Sequence, residues 1–329
     1  MRSSPERSAG AAISVGGSRT RAAWRDVAVA YLLSLLLSLP VAAARRASRA
    51  DSLHHREAAE RLLQGWDGLW HWSFSARARG LESTFDAGIV GIGAVLRSLD
   101  HLLRGAVLDL PAPLVVAGLS YLVGWVFLSG ALLARFGGDD GGLLRLGARY
   151  FGRMLSLAAV AWLAWALLFG LLLPSLGHFV DERCREVIDQ RVVAAWTLGK
   201  YAVVWSLVLA VRVIVDLAKV RAVQEPSVTV LAALREALAI VRRRGAAVLA
   251  LVLALGGLSL GLLLAYWLVA PGAGQDNVLK IGLAFGLSQT SVIARVVMRA
   301  WSLASLQALV GGSGRSRAQP RPEVVEQAD

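Results

Sequence analysis

The sequence predicts an all-α fold: a polytopic transmembrane helix bundle of six spans, with amphipathic interfacial helices on both faces. Three observations carry this. Of 329 residues 56% are hydrophobic, above the roughly 45–50% usual for a soluble domain. Six apolar runs approach or exceed the roughly 20 residues that cross a hydrocarbon core about 30 Å thick. The basic residues collect in alternate connections between those runs, the pattern that orients membrane proteins.

Residues 1–25 are rich in Ser, Gly and Arg and lack an apolar period, so a disordered basic tail is expected there. Within the membrane domain, 26–310, the first apolar run is 27–44. A basic stretch, a Leu-rich centre and Ala42-Ala43-Ala44 also describe a signal peptide and its cleavage site. The length of the run and Arg45-Arg46 after it favour a span.

Residues 45–111 form the one large hydrophilic insertion. Phe85, Ile89, Ile92, Leu96, Leu99 and Leu103 step by three and four, which predicts an amphipathic helix. Before it, Trp66, Trp70 and Trp72 gather near Phe74 and are expected to anchor at the membrane interface.

The remaining spans are expected at 113–136, 154–177, 201–219, 246–270 and 278–300, the last with an apolar continuation to Val310. Residues 135–153 carry Arg135, Arg145, Arg149 and Arg153 against Asp139 and Asp140. Residues 220–245 carry Arg221, Arg235, Arg242, Arg243 and Arg244 against Glu225 and Glu236. By contrast 181–200 balances, and 271–277 holds only Asp276. Both basic loops fall on the side of the N-terminus, which puts both termini in the cytoplasm. The bias toward Ala, Leu, Val, Gly and Arg fits a GC-rich bacterial genome, hence a bacterial cytoplasmic membrane.

Between the fourth and fifth spans, Pro226 suits a first helical position. Leu231, Leu234, Leu238 and Val241 make one stripe, so 226–244 is expected to be a basic amphipathic helix along the inner leaflet. Glu225, then Ala233-Leu234-Arg235, Ala237 and Val241-Arg242-Arg243-Arg244 entering an apolar run, resembles a segment of multi-pass bacterial membrane proteins. Among these is the membrane domain attached to some glycerophosphodiester phosphodiesterases. The likeness covers about a tenth of the chain. It implies a membrane module and no hydrolase, since the catalytic domain has no counterpart and the 45–111 insertion departs from the pattern. Residues 311–329 read as a second disordered tail, opened by the linker Gly311-Gly312-Ser313-Gly314.

The net charge of +12 does not point to nucleic acid, because the arginines lie in loops. One cysteine, Cys184, excludes an intramolecular disulfide and any cysteine metal motif. His54, His55, His71, His101 and His178 all fall outside the spans or at their boundary, and none is paired at metal-ligand spacing. No His-Glu-x-x-His occurs. Neither a metal, nor a cofactor, nor a catalytic residue is expected.

Charges within spans are more informative. Arg212, Asp216 and Lys219 share one face of the fourth span. Entering from Lys200, Arg212 lies about 18 Å deep at 1.5 Å per residue. Intramembrane charges cost on the order of 2.5–3.5 kcal/mol each on the mildest scale and point to function. The competing reading is a self-contained Arg212–Asp216 pair with Lys219 snorkelling. Arg295 and Arg299 share a face of the last span near the same depth. These five residues are the candidate lipid or anion site. The expected function is a non-enzymatic membrane protein that binds or organises phospholipid, or supports an envelope assembly with other membrane proteins. The alternative is a transporter of a small anionic or amphipathic solute. The last two spans are further expected to pack closely through Gly257 and Gly261 against Gly282 and Gly286.

Overall fold

The computed structural model describes residues 8–53, 56–64, 67–78, 112–270 and 277–311. Every regular element among them is helical, in the order α1 (Ala9–Ala22), α2 (Trp24–Ser52), α3 (Arg56–Gln64), α4 (Gly68–Ser75), α5 (Ala112–Phe136), α6 (Leu143–Leu167), α7 (Leu173–Cys184), α8 (Gln190–Gln224), α9 (Val230–Val269) and α10 (Val278–Gly311). A π-helical turn, Leu168–Leu172, joins α6 to α7. Six segments are long and apolar enough to cross a membrane: Trp24–Ala44 of α2, α5, the continuous Leu143–Cys184, α8, α9 and α10. The architecture is that of a multi-pass all-α membrane protein. The expected amphipathic helix at 85–103, Trp66 and the tail 312–329 lie outside the described residues.

From α5 onward successive spans alternate in direction, so α8 and α10 run the same way. The α5–α6 turn is typical of how the sequence makes them. Gly138 takes φ +93°, and Gly138 and Asp139 donate to the carbonyls of Arg135 and Ala134 at 3.0 and 3.1 Å. That pattern closes the end of a helix on a glycine in the left-handed region. The π turn precedes Pro174, which has no N–H to offer the preceding turn and would crowd its carbonyl.

α2, α5, α6, α8, α9 and α10 form a ring in which each touches the next. The ring closes tightly at one end only, here called the basal end, where α1 packs along the last turns of α10. The core residues Leu132, Leu133, Met154, Leu217, Val220 and Leu303 are fully buried there. Several arginines of the basic loops act as clips at this end. Arg135 Nε donates to Asp26 at 3.0 Å, Arg153 to the carbonyls of Ala222 and Pro226, and Arg244 to the Leu309 carbonyl at 3.2 Å. Toward the opposite, apical end the helices spread and turn large apolar side chains outward, as a lipid solvent allows.

Several expectations are corrected. Residues 9–22 of the supposed tail are a helix, because α1 docks through a stripe of small side chains, Ala12, Gly16 and Thr20, that leaves no apolar period to read. Pro226 lies in the turn and not in a helix; α9 begins at Val230, capped by Thr229. The segment 230–244 is the first part of α9, which kinks at Arg244 (φ −128°, ψ 26°) and continues as the fifth span. It buries Ala233 and Ala237, with Leu234 and Val241 of the expected stripe partly buried beside them, while Leu231 and Leu238 stay exposed. The helices also overrun the expected spans at both ends, basally into the core and apically as α7 and the first turns of α8.

The described part of the insertion continues α2 unbroken through Ala42–Ala44 to Ser52, then forms α3 and α4. Asp67 caps α4 through the Leu69 and Trp70 amides and accepts from Arg61 at 2.7 Å. The Trp70 amide and then the Arg61 guanidinium hold its carboxyl below the usual carboxylate range. Trp70, one of the expected interfacial anchors, stacks on Phe74 with centroids 5.1 Å apart and is buried. Leu69 and Trp72, 77% and 72% exposed, are the side chains free to meet an interface.

Candidate functional site

Helical spacing places Arg212, Asp216 and Lys219 on one face of α8, and the parallel α10 brings Arg299 to the same height. Asp216, 3% exposed, is the hub. Arg299 grips it with two bonds, Nη1 to Oδ2 at 2.7 Å and Nη2 to Oδ1 at 2.9 Å. Lys219 Nζ reaches Oδ1 at 3.5 Å. Arg212 Nε stands 4.0 Å from Oδ2, beyond hydrogen-bond length. Asp216 is therefore bonded mainly across helices to Arg299, and its ion pair with Arg212 is long and not self-contained, since Arg299 and Lys219 share the carboxylate. Arg295 makes no ion pair among the described residues and is exposed toward the same space.

That space is a cleft of about 1910 Å³ between the six spanning helices, with the charged cluster on its wall. Ser291, Arg295, Arg299 and Ser302 face it from α10, spaced by four, four and three residues, so they form one polar stripe. Above the stripe, Tyr31 donates to Gln289 at 3.0 Å and Tyr266 meets Ser288 at 3.4 Å. Measured from Val278 at 1.5 Å per residue, Ser288 lies about 15 Å along α10 and Arg299 about 32 Å. The stripe thus begins about 20 Å along α10, and the first turns of the helix present Ile281, Leu283 and Phe285 instead.

An aromatic wall of Tyr121, Trp125, Trp162, Trp165 and Trp205 lines the rest of the cleft. Sequence reading treats Trp125 and Trp162 as packing or interface residues. Their i, i+3 and i, i+4 partners, Trp165 and Tyr121, were the available signal of a shared face. The four glycines expected at the contact between the last two spans do something else. A Cβ on Gly257, Gly261, Gly282 or Gly286 would meet no atom within 4 Å. Gly257 lines the cleft, so here a missing side chain makes room and brings no backbone closer.

Of the predicted site residues, Arg212, Asp216, Lys219 and Arg299 come together and Arg295 shares their cleft. Trp70 and Trp72 lie on α4, apart from it. No protein-family model, curated protein or solved structure matches the chain.

Proposed function

We propose that this is a non-enzymatic protein of a bacterial cytoplasmic membrane that binds or organises anionic phospholipid. The carrying observation is the cleft: apolar and aromatic over most of its wall, with a cluster of four cations and one carboxylate toward its basal end. An inner-leaflet lipid has that polarity when the basal end faces the cytoplasm. Its head meets the arginines and its chains run up the apolar wall. Unpartnered cations in a low-dielectric wall are costly, and a phosphate offsets that cost.

The second reading, transport of a small anionic or amphipathic solute, draws on the position of the cleft inside a ring of helices. Two observations weigh against it. Small-molecule sites occupy about 300–1,000 Å³, and this cleft is larger. The helix through Leu168–Leu172 widens to a π turn but stays continuous from Leu143 to Cys184, whereas transporter sites are typically formed by discontinuous helices.

Filling the cleft tests the reading. Gly257→Trp puts its Cβ where nothing lies within 4 Å and its indole on the side of the cleft, so the bundle should fold while most co-purified phospholipid is lost by mass spectrometry. Undiminished lipid in a folded Gly257→Trp protein would reject it.

The orientation has its own test, in a background lacking Cys184. Cysteines at the exposed positions Ala76 and Ala194 are expected to react with an impermeant thiol reagent in intact cells, and one at exposed Ser227 is not. Ala222, nearby, is buried and would be silent on either side. Reaction at Ser227 alone would invert the topology.

A further inference from the structure

We propose that the cleft selects a lipid whose head ends in a phosphomonoester, held between Arg212 and Arg295, over lipids with a phosphodiester head. This deepens the lipid-binding reading and rests on it.

The argument begins with register. α8 and α10 are parallel, and the Asp216–Arg299 double bond fixes their relative height. Arg212 precedes Asp216 by four residues and Arg295 precedes Arg299 by four. Each is therefore about 6 Å farther toward the apical end, at 1.5 Å per residue. The two arginines thus spring from one level on facing helices, and both line the same cleft. Neither is fully neutralised by the protein. Arg212 lies 4.0 Å from Asp216 with 53% of its side chain exposed, and Arg295 has no ion pair among the described residues.

Asp216 spends its oxygens on Arg299 and Lys219. It acts as the fixed counter-charge that holds the floor of the site. Four cations against one carboxylate leave an excess of three positive charges around the cleft.

Two properties of the missing anion follow. Its charge should exceed one: a phosphomonoester carries about −1.5 to −2 near neutral pH, a phosphodiester only one. Its oxygens should serve two forks. An arginine binds phosphate best through two parallel N–H···O bonds. A terminal phosphate offers three oxygens and can share them between two guanidiniums, whereas a diester offers two. A diacylglycerol phosphate and a polyprenyl phosphate both present this head, and the apolar wall accepts either tail.

The test uses the full-length protein in nanodiscs and native mass spectrometry. Phosphatidate, polyprenyl phosphate, phosphatidylglycerol and cardiolipin are presented at equal mole fraction. A phosphomonoester lipid is expected to be retained about tenfold or more over phosphatidylglycerol, the gain of one further charge-assisted contact. The ratio between phosphatidate and polyprenyl phosphate identifies the source. Arg212→Gln and Arg295→Gln, which leave the Asp216–Arg299 bond in place, should each bring the preference close to parity. Arg295→Lys should restore part of it, since charge returns without the fork.

Equal retention of phosphatidylglycerol, a preference for cardiolipin, or selectivity that survives both Gln variants would overturn the phosphomonoester clamp. The lipid-binding reading would then still stand. Absence of any retained lipid from the wild-type protein would remove that reading as well.

Discussion

Replacing Asp216 by Leu is expected to destabilise the bundle by about 3–5 kcal/mol, the usual cost of removing one partner from a buried charge pair. The cost arises from what stays behind. Arg299 loses both of its bonds to Oδ1 and Oδ2, and Lys219, which is also buried, loses its counter-charge among the described residues. The cleft would then hold four cations without a carboxylate. Thermal unfolding in detergent, followed by loss of the monodisperse peak, measures the effect. The double variant Asp216→Leu/Arg299→Leu should recover much of the loss, because no unpaired partner remains from the bidentate pair. A single variant as stable as wild type would mean that the cluster is solvated and not structural.

The same cluster shows what could be read in the sequence. Arg212, Asp216 and Lys219 announce themselves because charges inside an apolar run are rare and costly, and their spacing gives the shared face directly. That Arg299 and not Arg212 completes the pair was not legible. Both lie at hydrogen-bonding depth, and only the packing of α8 against α10 decides between them. Spans were legible for the same reason as the charges: hydrocarbon thickness imposes a length on an apolar run. Their true ends were not, since α5, α8 and α10 continue into a basal core where ordinary burial, and not lipid, governs which residues are helical.

Small residues were the harder signal. Gly257 and Gly282 have the spacing of helix-contact glycines yet face open space, while Ala12, Gly16 and Thr20 have the same spacing and make a true contact. Spacing alone does not say whether a missing side chain admits a neighbouring backbone or leaves a gap. The answer lies in the partner. α10 offers its own small face, Ala300, Ala304 and Ala308, beside Trp301 and Ser305, whereas no such partner comes near Gly257.

Gly16→Leu is accordingly expected to detach α1. A Cβ built on Gly16 would lie 2.7 Å from the Ser305 backbone nitrogen and 2.8 Å from its Cα. Backbone in the middle of a buried helix cannot move aside as the tip of a flexible side chain can, so the two helices must separate. Overpacking of this kind costs about 1–3 kcal/mol or more, and it falls on α10, the helix against which α1 packs most extensively. Trp301 Nε1 also donates across this contact to the Ile13 carbonyl at 2.9 Å. Once freed, the segment exposes Arg19 and Arg21 to trypsin, and each 1.4 kcal/mol lost should speed cleavage about tenfold where opening is the limiting equilibrium. Gly10→Leu, on a turn where a Cβ meets nothing within 4 Å, should leave the rate unchanged. Ser305→Ala should also be tolerated, because the Ser305 hydroxyl is buried without a hydrogen-bond partner and its loss removes an unsatisfied group. Trypsin sensitivity unchanged in Gly16→Leu would mean that α1 is held by something other than this contact.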